Sequence, residues 1–217
     1  MIRKFILLAA AAVLSTGAQA SPATWTDWTS ITGNGASGTM GGVSVTVSAT
    51  NALNGVSQTA CGPGNTNYWT GTAYTNGTLD NSPTACEQVG LSTANSVTVN
   101  FGAAIENLYM AVVSVGQYSL PVTYTFDQAF GVDSNGKGYW DTSGLGSYSL
   151  TGNALTMNEF HGVLRFSGPV TKLTFTAAPN EYWHAFTFGN VVPEPGTLAL
   201  LGLSLAGLGL ARRFRKV

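Results

Sequence analysis

Between Val43 and Phe188 the apolar residues recur at every second position in short runs. Val43, Val45 and Val47 alternate with Ser44 and Thr46. The same alternation runs through Val97–Phe101, Val122–Phe126, Val163–Phe166, Leu173–Thr176 and Ala185–Phe188. A period of two puts successive side chains on opposite faces of an extended strand, so each run predicts a strand with one buried face. Leu108–Val115 differs, being apolar almost without interruption, and this predicts a central strand covered on both faces. Gly33-Asn34-Gly35, Gly41-Gly42, Asn76-Gly77, Asn135-Gly136, Ser167-Gly168-Pro169 and Pro179-Asn180 interrupt the runs with turn residues. Eight to eleven short strands at this spacing predict an all-β domain, an antiparallel sandwich or jelly roll. No amphipathic helix competes with that reading.

Charge is scarce and segregated. Charged residues make up 9% of the chain, well below the roughly 25% of ordinary soluble domains. Of nine basic residues, six lie at the two ends: Arg3, Lys4, Arg212, Arg213, Arg215 and Lys216. Lys137, Arg165 and Lys172 remain between them, against all ten acidic residues. The middle is therefore acidic and lacks the basic footprint that nucleic-acid binding requires.

The two ends read as addresses. Arg3 and Lys4 precede the apolar run Phe5–Leu14, then Ser15, Thr16 and Gly17, then Ala18-Gln19-Ala20. This is the order of a secretory signal, with small residues at Ala18 and Ala20 for a signal peptidase. The run is about half of the ~20 residues that span a bilayer. Residues 1–20 are thus expected to be removed, leaving a mature chain from Ser21. At the other end, Thr197–Ala211 is uncharged and Leu-rich, and Arg212, Arg213, Arg215 and Lys216 follow at once. Such a span with a basic stop predicts a transmembrane helix over about 197–211 with its tail, 212–217, in the cytoplasm. At 1.5 Å per residue it is short for a ~30 Å hydrocarbon core, which suits a temporary anchor.

Val192-Pro193-Glu194-Pro195-Gly196, the Leu/Gly/Ala stretch and the Arg-rich end together resemble the PEP-CTERM sorting signal of Gram-negative bacteria that make extracellular polysaccharide. The resemblance covers the last 26 residues or so, 191–217, with Pro193, Glu194 and Pro195 as the sorting motif. It implies recognition and cleavage by an exosortase, after transient residence in the inner membrane, and delivery to the cell surface or matrix. The prolines favour an extended backbone that a protease can take up as a strand. Val170–Gly189 resembles the last hairpin of β-sandwich domains common in such proteins. Neither resemblance implies a chemistry for residues 21–190.

Cys61 and Cys86, the two cysteines, both lie in the exported part, where an oxidising compartment favours a disulfide. Catalytic patterns are thin. His161 and His184 lie beside no nucleophile motif. Glu106, Asp127, Glu159 and Glu181 could pair as glycosidase carboxylates, but only spatial separation would decide. Asp133-Ser-Asn-Gly-Lys-Gly-Tyr-Trp-Asp141 has calcium-loop offsets at Asp133, Asn135, Gly138 and Asp141. Lys137 and Gly144 break the ligand pattern, so a hairpin turn is expected, with a structural calcium held elsewhere left open and no other cofactor. Aromatic residues cluster near turns. Trp69, Trp140 and Trp183 are candidate platforms for stacking on sugars, with filling of a sandwich core as the alternative. The expected role is non-catalytic, structural or adhesive with glycan binding; the competing one is a secreted polysaccharide hydrolase.

The extracellular protein is predicted to begin at Ser21 and to end between Pro193 and Gly196. Intact mass of the membrane and extracellular fractions checks this, and persistence of a species ending at Val217 in every fraction would contradict it.

Overall fold

The computed structural model describes residues 20–54, 56–140 and 146–191. The secretory signal, the sorting motif, the expected membrane span and the basic tail lie outside these residues, apart from Ala20 and Val191. Among the described residues no helix is long and apolar enough to cross a membrane.

Two antiparallel sheets pack as a sandwich. One contains β1 (Thr24–Trp25), β5 (Val89–Leu91), β7 (Leu108–Val115), β9 (Phe130–Asn135), β12 (Phe160–Phe166) and β14 (His184–Asn190). Its order is β1-β14-β7-β12-β9, and β5 pairs with the start of β14 on the side that β1 takes at its end. The other sheet, in the order β10-β11-β8-β13-β6-β4-β3-β2, contains β2 (Asp27–Thr32), β3 (Gly35–Met40), β4 (Val43–Ala49), β6 (Asn95–Ile105), β8 (Val122–Phe126), β10 (Ser147–Thr151), β11 (Ala154–Asn158) and β13 (Val170–Ala178). Among the described residues the regular helical structure is one 3₁₀ turn, Thr72–Tyr74.

The alternating runs fall in β4, β6, β8, β12, β13 and β14, and their apolar faces meet between the sheets. Val45 and Val47, Val97 and Val99, Tyr124 and Phe126, Leu173 and Phe175, and Phe186 and Phe188 all belong to this inner core. Rings contact in sequence from Tyr124 through Phe175 to Phe186, with centroids 5.1 and 5.5 Å apart, the edge-to-face or offset spacing that rings prefer.

Three expectations need correction. The strands exceed eleven because β3, β9 and β10 carry little apolar signal. Val170–Gly189 is not a hairpin: β13 pairs with β6 and β8, whereas β14 pairs with β5 and β7 in the opposite sheet. Pro179–Trp183 crosses the gap, because the buried faces of both strands must meet from opposite sides. Likewise, the turn signals seldom make hairpins. Consecutive strands pair within a sheet in β2–β3, β3–β4 and β10–β11. Ser167-Gly168-Pro169 joins strands of different sheets, Asn76-Gly77 lies in a long connection, and Asn135 ends β9.

β7 is buried along its whole length, as its composition predicts. Leu108, Met110 and Val112 enter the inner core, while Tyr109, Ala111 and Val113 point outward into a second apolar cluster. Residues 56–88 cover that outer face, contributing Trp69, Ala73, Tyr74 and Leu79. The cover is held by polar anchors. Gln58 and Gln88 exchange backbone bonds of 2.9 Å, the Trp69 indole donates to the Glu87 carbonyl, and Ser134 Oγ donates to the Ala73 carbonyl. The Asp133 carboxylate accepts from the Thr78 amide and hydroxyl. Asp133 thus serves a strand and its cover, which replaces the hairpin turn expected at 133–141. Gly71, at φ 91°, lies where a Cβ would sit 2.2 Å from the Lys137 carbonyl oxygen, so the cover and β9's exit approach at backbone distance.

Cys61 and Cys86 form a disulfide that closes this segment. A loop of 25 residues corresponds to about 3–4 kcal/mol in the chain-entropy model. The double substitution Cys61→Ala, Cys86→Ala is predicted to lower unfolding stability by about that much in a urea titration, leaving the β-sheet circular-dichroism spectrum in place.

Candidate functional site

A bulge builds the site. β12 opposes Phe160 to Val115 and Gly162 to Val112, so β7 holds one residue more than β12 over this stretch. Ser114 is in the left-handed region at φ 54°, and Glu159, just before β12, is at φ 44°. Without the extra residue Val115 would face outward; with it, Val115 returns to the inner core. Bulges re-aim side chains, and this one brings Ser114 and Glu159 together: the Ser114 hydroxyl donates to Glu159 Oε1 at 2.6 Å. His161 lies beneath. Its Nδ1 accepts the Ser114 amide at 3.3 Å, and its Nε2 is 3.4 Å from the same Glu159 oxygen. With Nδ1 accepting, the proton of the neutral ring sits on Nε2. Gly138 closes over this imidazole, since a Cβ there would lie 2.1 Å from His161 Cγ.

A cleft of about 530 Å³ is lined by the polar residues Ser114, Gln117 and Glu159 together with Val56 and the aromatic residues Tyr68, Trp140, Tyr182 and Trp183. Tyr68 stacks on Trp140 at 5.0 Å and 18°, and touches Trp183 at 4.8 Å. Trp140 meets Trp183 edge-on at 5.1 Å, and Tyr139 packs against both Tyr68 and Trp140. Each contact of this kind adds roughly 0.5–1.5 kcal/mol beyond area burial, so the platform is a fixed surface. Trp140 is 49% exposed and Tyr182 88% exposed, while Trp183 is 7% exposed.

Three Tyr-Trp pairs converge here: Tyr68-Trp69, Tyr139-Trp140 and Tyr182-Trp183. The recurrence was available as a sequence signal; the convergence was not. Of the three tryptophans expected to stack on sugars, Trp140 and Trp183 line the cleft. Trp69 does not. It is 2% exposed, packs edge-on against Tyr74, and spends its N–H on Glu87, so it belongs to the outer core.

The four candidate carboxylates are scattered. Glu159 lines the cleft. Glu181 is buried and hydrogen-bonded to His184 Nδ1, and the His184 ring packs against Tyr124 at 5.6 Å. Burial first, and then the Glu181 charge, keep the Tyr124 hydroxyl well above the ordinary tyrosine range. Asp127 caps the Thr174 amide. Glu106 lies in a separate polar depression with Arg165 and Asp133. Among the described residues no three His, Cys, Asp or Glu side chains group as a metal site. Asp141 lies outside the described residues.

Comparison with protein families finds a match over residues 191–216. It is the PEP-CTERM protein-sorting motif. The chain is therefore an exported protein sorted by an exosortase, and the disulfide fits an extracytoplasmic location. No curated protein and no solved structure matches it.

Glu87, in the cover where it meets β2, supplies a pH test. Burial pushes its carboxyl above the ordinary 4.5, the Trp28 amide bond opposes this, and the neighbouring Asp27 charge adds to it. A raised folded-state value means that the folded protein holds the proton more tightly than the unfolded chain. The resulting stabilisation is complete below the ordinary carboxylate range and is lost as pH rises through the raised value. Glu87→Gln, which keeps the acceptor for Trp28, is predicted to gain stability relative to the native protein between about pH 4 and about pH 7. Urea midpoints at the two pH values measure it.

Proposed function

We propose that the mature domain binds extracellular glycan through the aromatic cleft and acts as a non-catalytic adhesive or structural protein of the cell surface or matrix. The observation that carries this reading is the cleft's lining: the exposed aromatic side chains Trp140 and Tyr182, with Tyr68 and Trp183 packed on Trp140, share one cleft with the hydrogen-bonding groups of Ser114, Gln117 and Glu159. Sugar rings present apolar C–H faces with hydroxyls around the edge. Exposed aromatic faces beside polar groups meet both requirements, and a few fixed polar groups beside apolar area are what small-ligand sites use for orientation. Sorting by an exosortase supports the location, because the resemblance places such proteins in bacteria that secrete polysaccharide. On this reading the signal peptidase removes residues 1–20, the span at about 197–211 holds the protein briefly in the inner membrane, and cleavage near Pro193–Pro195 releases it.

Trp140→Ala is predicted to weaken retardation of the protein in native gels containing polysaccharide by at least about tenfold, the loss expected of a central aromatic anchor. Tyr182→Ala should weaken it less. Thermal unfolding should change little in Tyr182→Ala, whose side chain is 88% exposed, whereas Trp140→Ala should stay folded with a somewhat lower midpoint, because it removes ring contacts with Tyr68, Tyr139 and Trp183. Unchanged retardation by Trp140→Ala would contradict the assignment of the cleft.

A further inference from the structure

We infer that the cleft is selective for uncharged glycans over polymers of uronic acid, and that the Glu159 carboxylate is the specificity-determining group. This rests on the glycan-binding reading and goes beyond it by naming the substrate class.

The charge on the cleft wall is one-sided. Among the described lining residues Glu159 is acidic and none is Lys or Arg. The three cations of the exported part lie elsewhere. Arg165 borders the separate polar depression and sits over the Tyr109 ring. Lys172 is exposed on β13 in the other sheet, and Lys137 is exposed on the strand exit before Gly138.

Nor does the partner behind Glu159 cancel its charge. His161 Nδ1 accepts the Ser114 amide, so in this arrangement the imidazole carries a single proton and is neutral. Ser114 donates a hydroxyl, which orients the carboxylate without neutralising it. The Glu159 side chain retains 16% exposure, enough to meet a ligand in the cleft.

A carboxylate in this position accepts hydrogen bonds from sugar hydroxyls, and such charge-assisted bonds are shorter and stronger than neutral ones. A uronate brought against it adds a second negative charge at short range, which opposes binding and rejects the wrong partner. The acidic surroundings of the exported part act in the same direction over longer distances and are screened by salt. The discrimination at Glu159 is local, inside a partly desolvated cleft, and is therefore expected to persist at physiological salt.

The test uses the full chain in a detergent without a sugar headgroup, run in native gels cast with neutral polymers (dextran, a soluble β-glucan, a galactomannan) or with alginate and polygalacturonate, at about 0.15 M salt. At least one neutral polymer should retard the protein at a concentration about tenfold below that needed for either uronate. Glu159→Gln should reduce this ratio by about tenfold, by improving retardation in the uronates and by weakening it in the neutral polymers, which lose the charge-assisted bond. Gln117→Glu, which adds a second carboxylate to the same cleft, should widen it and serves if Glu159→Gln fails to fold. Retardation by alginate equal to or stronger than by every neutral polymer would overturn the selectivity while leaving glycan binding intact. A ratio unmoved by both variants would remove Glu159 from the role. Retardation by none of the polymers would overturn the glycan-binding reading, and the selectivity with it.

Discussion

The structure depends on covering β7 from both sides. A strand of Leu108-Tyr-Met-Ala-Val-Val-Ser-Val115 has no face that can be left to water. Its inner face is satisfied by the opposing sheet. Its outer face, Tyr109, Ala111 and Val113, needs a second layer, and among the described residues no α-helix provides one. Residues 56–88 supply it instead. That segment is polar and irregular, and it buries few large side chains, notably Trp69, Tyr74 and Leu79. Its stability comes from fixing the chain by other means: the disulfide between Cys61 and Cys86, the bonds to Asp133 and Ser134, and the paired backbone of Gln58 and Gln88. A closed loop of this kind loses less entropy on docking than an open one.

The cleft follows from the same arrangement. At the end of β7 the bulge at Ser114 brings its hydroxyl and Glu159 together on the lining of the cleft. The cover contributes Tyr68, the exit of β9 contributes Tyr139 and Trp140, and the crossing between β13 and β14 contributes Tyr182 and Trp183. With Ser114 on β7 and Glu159 before β12, five segments remote in sequence thus meet at one rim. Because the disulfide fixes the segment that carries Tyr68, completion of the rim is tied to oxidation, which accords with a chain that acquires its bridge after leaving the cytoplasm.

Much of the sandwich was legible in the sequence because burial on one face writes itself as alternation. Val43–Val47, Val97–Phe101 and Leu173–Thr176 are strands in the expected phase. β3 was not legible, since Gly35-Ala-Ser-Gly-Thr-Met40 is small and polar; at Gly38 a Cβ would lie 2.3 Å from the Asp27 carbonyl oxygen, so the backbones, not side chains, determine the contact. β10 was not legible because it is an edge strand whose residues are all exposed. The cover of the second core was hidden for a different reason: Trp69, Ala73, Tyr74 and Leu79 are spread through a segment with no period at all. The bulge at Ser114 was concealed inside an apolar run that reads as regular, and with it the pairing of Ser114 and Glu159. Trp69 and Trp140 look alike in sequence, each following a tyrosine, yet one is core and the other solvent-facing. That distinction is set by which neighbour covers them, which local pattern does not encode.

The disulfide-closed segment is a separate layer over β7, and the opposing sheet does not depend on its bridge. Hydrogen exchange followed residue by residue, on the oxidised protein and on the same protein after reduction of Cys61–Cys86, tests this. Reduction should speed exchange by at least about tenfold through residues 56–88, while amides of β4, β6 and β13 keep their protection. Unchanged protection across residues 56–88 after full reduction, or simultaneous loss of protection in β4, β6 and β13, would contradict it.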